Sequence, residues 1–214
     1  LSGGLRTATS SPENNPGAAV LMPWLATRAT VEAPVVPSST RLASDWVELD
    51  SPCAGTFRPA GVEAAASCVQ TDPIADAPMF LVIGDSHAQQ WLGAVLPILR
   101  EEGWNAVALL KGGCAFAPEE EASEACATWR EQAEDDAVAL AADVVMLVGT
   151  KAAPMSPDER VPFGLEHPSD SIVQSGSQVI LIRDNPRFDF DMYRCWEESE
   201  PEGGCEVEVS AVLA

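Results

Sequence analysis

The chain has 214 residues, 46% of them apolar, and a formal net charge of −21 from 12 basic against 33 acidic side chains. That is enough apolar material for one ordinary domain with a tail. The acidity excludes nucleic acid and anionic lipid as electrostatic partners and reads as a solubility device, and no apolar run is long enough to span a membrane.

Residues 1–44 are rich in Ser, Thr, Pro, Ala and Gly with no sustained apolar period, the pattern of a linker or extension. Its apolar patches at 18–22 and 24–25 are expected to lie along the folded body as a strap. Residues 45–78 read as loop and short helix, clipped by Cys53 and Cys68. An α/β alternation then begins. Residues 79–83 form a first strand and 88–102 its helix, which Pro97 is expected to kink or shorten. Residues 104–110 form a second strand, and Gly112-Gly113 open a loop that runs to Cys126. Residues 128–141 form a second helix, with Trp129, Ala133, Ala137 and Leu140 on one face. Residues 144–148 are a continuous apolar run, typical of a parallel strand buried on both faces. A long loop over 150–168, a short helix over 169–175 and a fourth strand over 178–182 follow.

This alternation predicts an α/β fold with a doubly wound, mainly parallel sheet and right-handed crossovers. Sites in such sheets lie at the carboxyl ends of the strands. Ser86, Gly112-Gly113, Gly149-Thr150 and Asp184-Asn185 all fall there. Ser86 stands at a strand-to-helix corner, where its own amide and the first amides of the helix suit an oxyanion. Ser86 is therefore a candidate nucleophile; the plainer reading makes Asp85-Ser86 a helix cap.

The six cysteines fall in near pairs. Nearest-neighbour disulfides Cys53–Cys68, Cys114–Cys126 and Cys195–Cys205 are expected, although six cysteines admit other pairings. Such usage fits an oxidising compartment. No Cys-x-x-Cys spacing and only two histidines leave no metal site, and no cofactor is implied. The start at Leu1 and the end in Val-Ser-Ala-Val-Leu-Ala214 read as a fragment of a longer, exported protein.

Val82-Ile83-Gly84-Asp85-Ser86-His87 resembles the first block of the SGNH hydrolase superfamily. The histidine after the serine, and the loop Lys111-Gly112-Gly113-Cys114, resemble the SGNH domains fused to the C-terminus of multi-pass membrane acyltransferases that O-acylate envelope glycans and lipids. The resemblance covers roughly 45–205, and the leader resembles the linker of that group. It implies a three-layer α/β/α, flavodoxin-like domain over 45–214 that lacks its C-terminal segment, outside the cytoplasm and tethered to the membrane in the full protein. Acyl transfer would run through a serine ester to a hydroxyl of an envelope glycan or glycolipid, with the membrane acyltransferase domain of the same chain as acyl donor. A carbohydrate or lipid esterase and a non-catalytic glycan-binding domain are the alternatives.

Carried over residue by residue, the resemblance makes Ser86 the nucleophile and its amide an oxyanion donor, with Gly113 (or Gly112) as a second. The third block of the family carries an asparagine where this chain has Gly149-Thr150, so Thr150 is at best a weaker donor. The family's Asp-x-x-His, which supplies the base, does not occur in these residues and is expected beyond Ala214. His87 diverges from its neighbour Ser86 at a helix start and is expected to pack or bond locally. His167, on the loop before Pro168, is the substitute base on offer. The acidic residues at 119–121 and from Asp189 to Glu202 read as solvated loops. Trp91, Trp104 and Trp129 read as core, and Trp46 and Trp196 as exposed.

Overall fold

The structure, a computed structural model, describes residues 41, 44–117, 123–198 and 204–213. The chain divides into two compact units, Leu1–Asp45 and Trp46–Ala214. In the first, the amide and hydroxyl of Ser44 both donate to the Arg41 carbonyl, at 2.9 and 3.0 Å; the strap expected at 18–25 lies outside the described residues.

The second unit carries strands β1 (Ser51–Pro52), β2 (Cys68–Gln70), β3 (Met79–Gly84), β4 (Asn105–Leu110), β5 (Val144–Val148), β6 (Lys151–Ala152), β7 (Glu159–Arg160) and β8 (Gln178–Ile182). Its α-helices are α1 (Val62–Ala66), α2 (Ser86–Glu101), α3 (Glu124–Leu140), α4 (Glu166–Gln174) and α5 (Met192–Glu198). The main sheet has the order β1-β2-β4-β3-β5-β8. β4, β3, β5 and β8 run parallel, while β1 and β2 add an antiparallel border. The four parallel strands are those expected from the sequence. The antiparallel border is not: a two- and a three-residue strand are too short to show a period of two. β6 and β7 pair as a small hairpin inside the segment expected to be loop. α4 starts at Glu166 rather than 169, with Pro168 in its first turn, where a missing N–H costs little. α2 runs through Pro97 to Glu101 and is not shortened.

Side chains alternate across the central strands, so each strand feeds two cores. Leu81, Ile83, Val107, Leu109, Val145 and Leu147 face one layer, where Trp129, Ala133 and Ala137 of α3 and Ile172 of α4 pack. Phe80, Val82, Ala106, Ala108 and Met146 face the other, against Leu92, Leu96 and Leu99 of α2. This makes three layers, α/β/α. Trp129 is fully buried and Trp46 is exposed, as expected; Trp91 and Trp104 are half-buried against the α2 layer. The Trp196 side chain and residues 119–121 lie outside the described residues.

The chain leaves β3 for β4 through α2, then recrosses β3 to reach β5 through α3. The strand order thus reverses at β3, with helices on opposite faces. Such a switch point opens a crevice at the carboxyl ends of the strands, and it sits directly above Gly84. A Cβ at Gly84 would stand 2.7 Å from the Ala88 Cβ, with φ at +156°. Only glycine lets α2 turn off β3 this tightly. Gly84→Ala is expected to cost about 1–3 kcal/mol through overpacking, read as a lowered denaturation midpoint; an unchanged midpoint would refute this account of the corner.

The two borders of the sheet differ. The β1-β2 side is short and stapled by Cys53–Cys68. On the β8 side, Ile180 and Leu181 are 44% and 52% exposed, and alternation sends them to opposite faces.

Candidate active site

Three rims meet over the switch point. The first is the corner after β3. Asp85 is the N-cap of α2, and its carboxylate accepts the His87 amide at 2.9 Å. The capping reading of Asp85 therefore holds, and Ser86 becomes the first helical residue, half-buried. The Lys111 amide donates to the Gly84 carbonyl at 2.9 Å and ties the second rim to the first.

The second rim is the turn after β4. The Cys114 amide closes it on the Lys111 carbonyl at 3.0 Å. Gly113 has φ +71°, and a Cβ there would meet nothing within 4 Å, so glycine is required by backbone conformation, not by crowding. Cys114–Cys126 fastens this turn to the first turn of α3, and the Arg130 guanidinium donates to the Ala115 carbonyl at 2.8 Å. Among the described residues, neither the Ser86 nor the Gly113 amide donates to another group.

The third rim joins the ends of β5 and β8. Thr150 accepts the Asp184 amide at 2.8 Å and contacts the Glu159 carboxylate through its hydroxyl. The Arg183 guanidinium, and after it that hydroxyl, hold the Glu159 carboxyl below its ordinary value. An ionised carboxylate only accepts, so the single Thr150 proton is directed at Glu159. Thr150 is thereby oriented toward the rim's own scaffold, not presented as a donor to the cleft.

The ring of His87 does not bond locally, contrary to expectation. Its Nδ1 contacts Asp184, 97 positions away in the chain. Asp184 also accepts the Ala152 amide at 2.9 Å on Oδ2 and the Asn185 amide at 2.8 Å on Oδ1. The Asn185 side chain in turn contacts Gln90. Two side-chain links therefore pin the first turn of α2 to the end of β8. The position of Asp184-Asn185 at the rim is legible in the sequence, but the partner is not, because pairing across the switch point depends on strand order.

A cleft of about 550 Å³ opens between the rims. Asp85, His87, Gly113, Thr150, Asp184 and Arg187 border it; Ser86 itself, set between Asp85 and His87, is not among its lining residues. His167 is also not brought there. It lies on α4 instead of a loop, its side chain is 84% exposed, and its ring faces Glu134 of α3 at 3.5 Å.

All three nearest-neighbour disulfides are present, with Cα–Cα separations of 5.4, 5.5 and 5.8 Å; Cys195–Cys205 closes the acidic segment, but Met192–Glu198 within it form α5 where a loop is expected from the sequence. No cluster of three or more His, Cys, Asp or Glu suited to a metal occurs among the described residues, and none of their helices is long and apolar enough to cross a membrane.

No curated protein matches the chain. A solved structure, the periplasmic domain of the Salmonella ser. Paratyphi A lipopolysaccharide acetyltransferase, is similar at 14% identity and a TM-score of 0.43, over 57% of this chain and 50% of that one. The chain thus spans half the length of that structure. The family model described as the SGNH domain fused to AT3 domains matches residues 52–212. That stretch holds the whole switch point and all three rims, and by it the chain belongs to the family of SGNH domains that are fused to AT3 acyltransferase domains.

Proposed function

We propose that this domain passes an acyl group, acetyl in the first instance, through an ester on Ser86 to a hydroxyl of a cell-envelope glycan or glycolipid. The AT3 domain of the full protein delivers the acyl group. The observation that carries this reading is the corner itself: Ser86 opens a sixteen-residue helix above the reversal of strand order. There the unpaired amides and the positive helix end favour the negative charge of a tetrahedral intermediate. The Gly113 amide, on the facing rim, is the second donor in this reading. Thr150 has no part in it, since its proton points to Glu159. Three disulfides favour a site of action outside the cytoplasm.

The directed Thr150 proton favours one rival, a domain that holds a glycan without chemistry. The full protein, treated with a fluorophosphonate and mapped by mass, separates the two. A covalent adduct on Ser86, together with acetyl passed from p-nitrophenyl acetate to an oligosaccharide, supports acyl transfer. Oligosaccharide binding with no adduct supports the rival. An adduct with release of acetate alone makes the domain an esterase.

A further inference from the structure

The cleft carries a proton-handling group that the acyl-ester reading does not use. The side chain of Asp184 is 5% exposed and that of His87 is 33% exposed. Both oxygens of the carboxylate face amide hydrogens as well as the ring. A buried carboxylate in that setting is an acceptor, so the proton between the two groups belongs to Nδ1 of His87. The free lone pair of the ring is then on Nε2, which has no hydrogen-bond partner among the described residues. The ring borders the cleft. A carboxylate that fixes the tautomer of a histidine, whose other nitrogen faces a cavity, is the arrangement of a general base.

His87 is badly placed to serve Ser86. The two are consecutive at a helix start, where neighbouring side chains diverge by about 100°. The cleft is bordered by Asp85 and His87, on either side of Ser86, so an acceptor seated in it lies beside an ester on the serine while the ring faces the acceptor. At about 550 Å³ the cleft is in the range of ligand sites of roughly 300–1,000 Å³, large enough for a sugar ring.

We propose that His87, positioned by Asp184, is the base that deprotonates the acceptor hydroxyl, and that the cleft is the acceptor subsite. This rests on the acyl-ester reading above. Nε2 takes the acceptor proton as the acceptor oxygen bonds the ester carbonyl carbon. The bond from that carbon to Ser86 Oγ then breaks, its electron pair stays on Oγ, and the imidazolium returns the proton to Oγ through a water. The acyl group moves from serine to acceptor, and the imidazole ends unchanged. His87 is the catalytic residue in this step, and Asp184 a positioning residue.

The other charged groups bordering the cleft are Asp85 at the corner, Arg130 on α3, Lys151 on β6 and Arg187 beyond β8. They are held constant by changing only the dyad. In the full protein, with p-nitrophenyl acetate as donor and an oligosaccharide as acceptor, His87→Gln is expected to keep fluorophosphonate labelling of Ser86. It should lower acetyl transfer to the sugar by about 10²–10⁴-fold. The pH profile of wild-type transfer should differ in shape from that of His87→Gln, which lacks the ring. Asp184→Asn should lower transfer in the same range with an unchanged far-UV spectrum, because its amide group favours the wrong tautomer. Wild-type transfer in His87→Gln overturns the proposal. So does loss of Ser86 labelling in a folded His87→Gln, which would assign the ring to the serine. Absence of labelling in the wild type removes the acyl-ester reading and this inference with it.

Discussion

Ser86→Ala is expected to abolish covalent labelling of the domain and to lower acyl transfer by on the order of a millionfold in kcat. The size follows from the covalent route. Without Oγ there is no ester, so the step that divides one difficult displacement into two easier ones is lost. Binding of the oligosaccharide should be nearly untouched, because Ser86 does not line the cleft while His87, Asp184 and Arg187 do. The fold should also survive: Asp85, not Ser86, caps α2 through the His87 amide. The informative result is thus a split, with affinity kept and turnover gone. Transfer within tenfold of wild type would disprove the serine-ester route, whatever the fate of the cleft.

The largest expected effect on stability is at Trp129. Its side chain is fully buried in the layer between α3 and the sheet, and its indole N–H donates to the Ser67 hydroxyl at 2.8 Å. Trp129→Ala removes the largest fully buried side chain of the described core. It should cost about 3–5 kcal/mol, the transfer term plus a cavity that two stapled segments cannot close. For a chain of this size that is roughly 10 °C in Tm. Trp129→Phe keeps most of the volume, and Ser67 still donates to the Ala64 carbonyl at 3.0 Å, so about 1–2 kcal/mol is expected. Urea titration checks both as shifts in midpoint at constant slope. An alanine variant within 1 kcal/mol of wild type would mean that α3 is not seated on the sheet through this residue.

Much of this architecture is legible in the residues. The continuous apolar runs at 80–83 and 144–148 mark strands covered on both sides, and the three- and four-residue spacing after His87 marks α2. The placement of Ser86 and Gly113 is legible because chain reversals put both at one end of the sheet. What escapes is whatever depends on strand order. Asp184 meets His87 only because β8 lies beyond β5 and α2 starts beside both. The Thr150 hydroxyl looks available until Glu159, on a two-residue strand, is seen to hold it. His167 reads as a loop residue because the helix is expected to start only at 169, whereas α4 starts at Glu166 and holds Pro168 in its first turn.

The open side of the sheet has a consequence for handling the polypeptide. Among the described residues β8 is the outermost strand, with apolar side chains on both faces, and such a strand is adhesive, because its outer amides and carbonyls accept a neighbouring strand. A net charge of −21 keeps such molecules apart. Screening by salt, or neutralisation as the pH falls toward the isoelectric point, should therefore drive self-association through Ile180 and Leu181. Leu181→Lys should abolish that association in sedimentation without moving the melting temperature of the monomer.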